Sequence, residues 1–284
     1  MKNFKKTIEF VIHSSLFVGL VGMAMLFTSQ SLLGLPTSLE LLLIAFLISF
    51  SAYNINRKTD TKEDRISHPE RTGFLNSYYK YIKIMALAAC IIALFIAFSN
   101  SLVVGLIILL PLISVSLYSI PWIPAFTTTR LKNIFVVKNA TVAIVWAIGV
   151  TILPLAYFEK PLTLTSMAVF FYIFLKVFGN TVTFDIRDVT GDAVHNIRTI
   201  PIKFGIATTK KILTLINLVS FCIIIVSVLH NLLTPAAYLI SLVVIYTQIY
   251  IYLISKTNIR FLTDVLADGE YIVMCLLALL SILV

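Results

Sequence analysis

The chain has 284 residues, 59% of them hydrophobic and only 12% charged, with a mean hydropathy of +0.99. This excludes a water-soluble domain of such length and indicates a polytopic membrane protein. The net charge of +9 does not point to nucleic acid, because the basic residues are dispersed over short loops without a nucleic-acid fold motif; membrane topology and anionic lipid account for it.

Apolar runs of spanning length occur at 9–28, 38–56, 80–98, 101–120, 134–154, 163–184, 211–230, 234–255 and 265–284, each near the ~20 residues a bilayer needs, so nine spans are expected. Lys2, Lys5 and Lys6 precede the first run as in a signal peptide. That run is longer than a signal core and no A-x-A site comes after it, so it is read as a span. Within it, His13 and Ser14 either face a cavity or satisfy one another between helices. A turn at Gly34-Leu-Pro36 leads to the second run, which ends at Tyr53, Asn54 and Asn56. Asn56, Asp60 and Asp64 are four residues apart and form one column on a helix face. The loop of Arg65, Ser67, His68, Pro69, Glu70 and Arg71 is longer and more polar than a connection requires, and its proline is expected to stop the helix.

The third and fourth runs are almost uniformly apolar as far as Tyr118, after which Pro121 and Pro124 bring the chain out of the membrane. Lys132, Lys138 and Asn139 open the fifth run; two of them could reach a site, although a lysine at a helix end ordinarily snorkels to the interface. In the sixth run, Lys176 points away from the polar face at the run's end, toward the interface or an interhelical partner, and Asn180 lies above that face. The face itself carries Asp185, Asp188 and Asp192 at i, i+3 and i+7, a second acidic column. The seventh and eighth runs show no functional cluster, and Asp264, Asp268 and Glu270 read as a solvated loop. Cys90, Cys222 and Cys275 lie in apolar runs without metal-ligand spacing and read as small hydrophobes.

With the amino terminus in the cytoplasm, nearly all the lysines and arginines come after even-numbered spans, against Lys160 on the other side. This is the positive-inside pattern, and it puts both columns at the cytoplasmic ends of a multi-pass protein of the cell membrane. Carboxylates at such spacing repel and are costly near hydrocarbon, so their natural resident is a hard divalent ion, and Mg²⁺ typically brings a phosphorylated substrate. A metal and diphosphate site at the membrane surface is expected. Asp60-x₃-Asp64 with Arg71-Thr72 after it is echoed by Asp188-x₃-Asp192 with Arg198-Thr199 after it, as in a worn internal repeat.

These residues resemble the UbiA superfamily of intramembrane prenyltransferases. Asn56, Asp60 and Asp64 match its N-x-x-x-D-x-x-x-D signature, and Asp185, Asp188 and Asp192 its D-x-x-D-x-x-x-D signature. The segment from Arg198 through Pro201 to Gly205 is similar to the stretch after the second signature in the quinone, chlorophyll and lipid branches. The resemblance implies a single all-α domain over 1–284: nine transmembrane helices in a bundle around a central cavity, cytoplasmic cap loops after helices 2 and 6, and the isoprenoid tail in a lateral apolar tunnel. It implies two Mg²⁺ ions held by Asp60, Asp64, Asp188 and Asp192, diphosphate contacts from Asn56, Arg65, Arg71, Lys132, Asn139 and Arg198, and catalytic roles for Asp185 and Tyr118.

The implied reaction moves a prenyl group from a polyprenyl diphosphate to a lipophilic quinone, aromatic or lipid precursor, releasing diphosphate whose charge the metals and basic side chains stabilise. The chain departs from the family in the spacing between Lys132 and Asn139. It offers only His13 and serines in the first helix, and Asn180, Thr181 and Phe184 stand where ether-lipid relatives carry charge. A lipophilic acceptor of little charge suits both departures. Ether-lipid transfer of the digeranylgeranylglyceryl phosphate synthase type, a membrane terpene cyclase and a prenyl diphosphate hydrolase are the alternatives. A divalent-cation transporter is disfavoured, because its carboxylates belong near the midplane and these lie at helix ends.

Overall fold

The computed structural model describes residues 10–59, 69–119, 134–195 and 197–283, with side chains at 10–55, 78, 80–115, 134–195 and 197–283. Among these residues every regular element is a helix: α1 (Leu16–Leu32), α2 (Leu39–Thr59), α3 (Pro69–Asn100), α4 (Leu102–Ser119), α5 (Val137–Tyr157), α6 (Leu164–Val194), α7 (Ile200–Leu229), α8 (Ala237–Leu253) and α9 (Ile259–Leu283). A chain this apolar has little choice, since backbone N–H and C=O groups in hydrocarbon must be paired within the segment itself. Five of these helices are, among the described residues, long and apolar enough to cross a membrane: Lys80–Asn100 of α3, then α5, α6, α7 and α9.

Apolar residues cover the outside, as on α3, where Ile84, Leu87, Ile91 and Phe95 are exposed while Ala86, Ala89, Ala93 and Ala97 face inward. Small inward residues let helices approach closely, the usual basis of packing where lipid removes the hydrophobic drive. At Gly22 of α1 an added Cβ would collide with Ser49 of α2, so that contact requires glycine. Each helix packs on the next in chain order, and α9 returns to pack on α1, which closes the bundle.

Several boundaries differ from the sequence expectation, each for a local reason. The third helix begins at Pro69, well before the expected residue 80, because the fixed φ of proline suits a first turn. Helix α6 starts at a reciprocal cap, Ser166 N donating to Thr163 Oγ1 at 3.2 Å and Thr163 N to Ser166 Oγ at 2.8 Å, and runs unbroken through the second acidic column. The chain then enters α7 at Ile200, before a break at Gly205 with φ 76°. After α6 there is therefore a short link instead of a cap loop, while the loop expected after the second helix lies outside the described residues. The first apolar run is interrupted at Ser15, whose φ of 67° is held by Asn54 of α2, donating to Ser14 O at 3.1 Å and accepting from Ser15 Oγ at 3.3 Å.

Glu270, read from sequence as part of a solvated loop, is buried inside α9. It pairs with the equally buried Lys176 of α6. Thr247 Oγ1 donates to Glu270 Oε1 at 2.7 Å and Tyr250 OH to Oε2 at 2.7 Å, while Lys176 Nζ donates to Asn217 Oδ1 at 3.3 Å. Lys176 thus has the interhelical partner that its helical angle favours, and four helices are tied at one point. Removing one partner strands a charge in an apolar interior, so Lys176→Met should cost about 3–5 kcal/mol. Lys176→Met with Glu270→Met should recover most of that loss, measured by unfolding of the purified protein in mixed micelles.

Candidate functional site

The end of α6 turns Asp185, Asp188 and Asp192 toward side chains of α5 and α9. Helix α5 begins after Val136, whose φ of 66° is an outlier for a β-branched residue and marks stored strain. From this turn Lys138 and Asn139 project onto α6. Lys138 Nζ lies 2.9 Å from Asp185 Oδ1 and 3.3 Å from Asp192 Oδ2, bridging two carboxylates that would otherwise repel. Buried Asn139 donates Nδ2 to Asp185 Oδ2 at 2.9 Å and to Thr181 Oγ1 at 3.3 Å. Both oxygens of Asp185 are therefore engaged, one by an ammonium and one by an amide, and its side chain is 2% exposed.

On the other side, the Arg187 guanidinium donates Nε to Asp188 Oδ1 and Nη2 to Asp188 Oδ2, each at 2.9 Å, and Nη1 to Asp264 Oδ1 of α9 at 2.6 Å. The guanidinium stacks on the Phe184 ring at 4.5 Å. One turn deeper, Asn180 Nδ2 donates to Asp268 Oδ1 at 3.3 Å. With every carboxylate ionised, four acids (Asp185, Asp188, Asp192 and Asp264) are joined by these contacts to two cations, Lys138 and Arg187.

Among the described residues no three acid, histidine or cysteine side chains converge enough to hold a metal by themselves. Mg²⁺ is ordinarily held by one or two carboxylates together with substrate phosphates, so the all-oxygen donors of α6 fit it as a partial site. The first column cannot be placed against them: Asp60, Asp64, Arg65 and Lys132 lie outside the described residues, as do the side chains of Asn56 on α2, Arg71 on α3 and Tyr118 on α4. Arg198 is exposed, and among the described residues no hydrogen bond or ion pair joins it to the column.

A mainly apolar cavity of about 200 Å³ lies between α1, α2, α4 and α5, lined among others by Ile48, Tyr53, Ile108, Trp146 and Gly149. The rings of Tyr53 and Trp146 stand 6.4 Å apart across it. Gly149 sits in a π turn, Ile148–Ile152, and a Cβ there would meet nothing within 4 Å.

Sequence reasoning discounts Lys138 as a snorkelling residue, gives Arg187 no role in the site, and takes Asp264 and Asp268 for loop. A signal for the last two is present, since Asp264-x₃-Asp268 repeats the spacing of Asp60-x₃-Asp64 and Asp188-x₃-Asp192.

A family model described as the UbiA prenyltransferase family matches residues 15–260. No curated protein matches the chain. A UbiA homolog from Archaeoglobus fulgidus bound to GPP and Mg²⁺ is 15% identical, with a TM-score of 0.69 over 97% of this chain and 99% of its own. An apo UbiA homolog from Aeropyrum pernix K1 is 13% identical, with a TM-score of 0.67 over 95% and 98%. A structure described for digeranylgeranylglyceryl phosphate synthase in membranes is 16% identical, with a TM-score of 0.59 over 100% and 98%. At these identities the likeness is one of fold.

Because Lys138 bridges two acids, Lys138→Met should lower stability by about 1.5–3 kcal/mol, the worth of a charged hydrogen bond. Asp192→Asn added to that variant should restore part of the loss. Thermal unfolding of the three proteins checks both signs.

Proposed function

The chain belongs to the UbiA prenyltransferase family, and on that premise we propose that it catalyses Mg²⁺-dependent transfer of a prenyl group from a polyprenyl diphosphate to a lipophilic acceptor within the membrane. The enzyme is a multi-pass helical protein. We read residues 1–284 as one domain of nine spans, a reading supported by the closed ring of helix neighbours. The observation that carries the functional reading is on α5. Lys138, Val142, Val145 and Gly149 succeed one another at i, i+4, i+7 and i+11, on a single helix face. The first bridges the acidic column and the other three line the apolar cavity. One helix face thus runs from a polar head site to an apolar slot roughly 16 Å along the axis, the layout an isoprenoid diphosphate would need.

In this reading Asp188 and Asp192, with Asp60 and Asp64 from the first column, hold two Mg²⁺ ions. Asn56, Arg65, Arg71, Lys132, Asn139 and Arg198 would contact the diphosphate, and Tyr118 would face the reacting carbon. Asp185, engaged through both oxygens, would act by fixing Lys138 and Asn139 at the diphosphate. When bound, Mg²⁺ would supply positive charge to the leaving diphosphate, and Lys138, its position set by Asp185, would add to it. An apolar lining of this kind would favour capture of the allylic cation by the acceptor over capture by water. Homologues bound to GPP or DMAPP together with Mg²⁺ support this substrate class.

The test is purified protein in nanodiscs with labelled C10 to C20 prenyl diphosphates, Mg²⁺ and a native lipid extract, the products being identified by mass spectrometry. A prenylated lipid formed only with Mg²⁺ is expected, whereas diphosphate release with only prenyl alcohol or cyclised hydrocarbon would overturn transfer. Asp188→Ala and Asp192→Ala should each lower turnover by about 10²–10³-fold, the usual scale for losing electrostatic stabilisation of a leaving group. A Cβ at Gly149 meets no neighbour and Gly149 lines the cavity, so Gly149→Leu should narrow it and shift preference toward shorter prenyl diphosphates; an unchanged preference would remove the cavity from the tail site.

We further propose that the amino terminus and the acidic column face the cytoplasm. In a cysteine-free background, a cysteine at exposed Thr190 should be labelled from the cytoplasmic side and one at exposed Lys160 from the opposite side. Labelling of both from one side would refute the topology.

A further inference from the structure

Helix α9 contributes a third set of acids, met by α6 in antiparallel order: Glu270 on Lys176, Asp268 on Asn180 and Asp264 on Arg187. The contacts climb from the buried interior to the acidic column. They end on a single guanidinium that grips Asp188 through two hydrogen bonds and Asp264 through a third. The Arg187 side chain is 9% exposed, so it is held between the two carboxylates and not in solvent. Asp264 lies in a π turn, Leu262–Ala267, and Thr263 Oγ1 donates to its Oδ1 at 3.1 Å. A π turn inserts an extra residue into the helical register and re-aims what it carries, which is why such turns gather at functional sites.

We propose that α9 positions the acidic column, with Asp264 acting through Arg187 to set how much negative charge Asp188 presents to a metal. The proposal rests on the reading of α6 as part of a metal and diphosphate site. A guanidinium shared between two carboxylates neutralises each only in part. With Asp264 made neutral, the full positive charge of Arg187 bears on Asp188, whose oxygens become poorer donors to a hard cation that depends on ligand charge. Asp264 is therefore a positioning residue. It touches neither metal nor diphosphate, and its effect requires Arg187.

The experiment measures binding of Mn²⁺, as a paramagnetic stand-in for Mg²⁺, to the full-length protein in nanodiscs with geranyl thiolodiphosphate, by the electron paramagnetic resonance signal of free Mn²⁺. Asp264→Asn should weaken Mn²⁺ binding about five- to tenfold, the scale of one rebalanced charge-assisted contact, and Asp264→Glu should return it to within about twofold of the wild type. In an Arg187→Gln background the Asp264→Asn effect should vanish, because nothing is left to transmit it. Unchanged Mn²⁺ affinity in folded Asp264→Asn, or an undiminished loss without Arg187, overturns the proposal. If the Arg187 variant does not fold, the Asp264→Glu rescue decides, since failure to rescue overturns it equally. A wild type that binds no Mn²⁺ would refute the metal-site reading and this inference with it; a binding wild type with an unaffected Asp264→Asn refutes the inference alone.

Discussion

Carboxylates gathered and half buried at the end of an apolar helix stay together only when cations reach them, because burial leaves little water or screening salt to offset their repulsion. In this protein Lys138 of α5 spans Asp185 and Asp192, while Arg187, one residue from Asp188, turns back on it and outward to Asp264 of α9. The placement of α5 and α9 around α6 stems from that need as much as from apolar packing. Deeper in the bundle the same rule produces the Lys176–Glu270 pair, each member further satisfied by hydroxyl or amide partners from α7 and α8. Such pairs add little net stability, yet the cost of breaking one holds the register of the helices that share it.

Backbone irregularities fall where side chains must be aimed. Val136 takes a left-handed conformation immediately before Lys138 and Asn139, and a π turn in α9 carries Asp264. A second π turn, in α5, carries Gly149 into the wall of the apolar cavity. At Val136 local strain accompanies the aiming of Lys138 and Asn139, and the π turn of α9 widens the register where Asp264 meets Arg187. Helix α5 gains the most from this, since one of its faces serves the charged site at its start and the apolar slot farther along.

Much of the arrangement could be read from the chain itself, because it depends on composition and period. An apolar content of this size admits only helices, and the i, i+3, i+7 spacing of Asp185, Asp188 and Asp192 places them on one face whatever surrounds them. The paired acidic signatures carry the family resemblance that the match over residues 15–260 supports. What the period could not supply was the partner of each polar side chain. Whether Lys138 snorkels or bridges two acids depends on the angle at which α5 crosses α6, set by packing between residues more than forty positions apart. Likewise, Asp264, Asp268 and Glu270 look like loop until α9 is seen to begin at Ile259 and lie along α6, where Lys176, Asn180 and Arg187 await them. Helical period is a local property of the chain, whereas charge compensation across helices is decided only when the bundle closes.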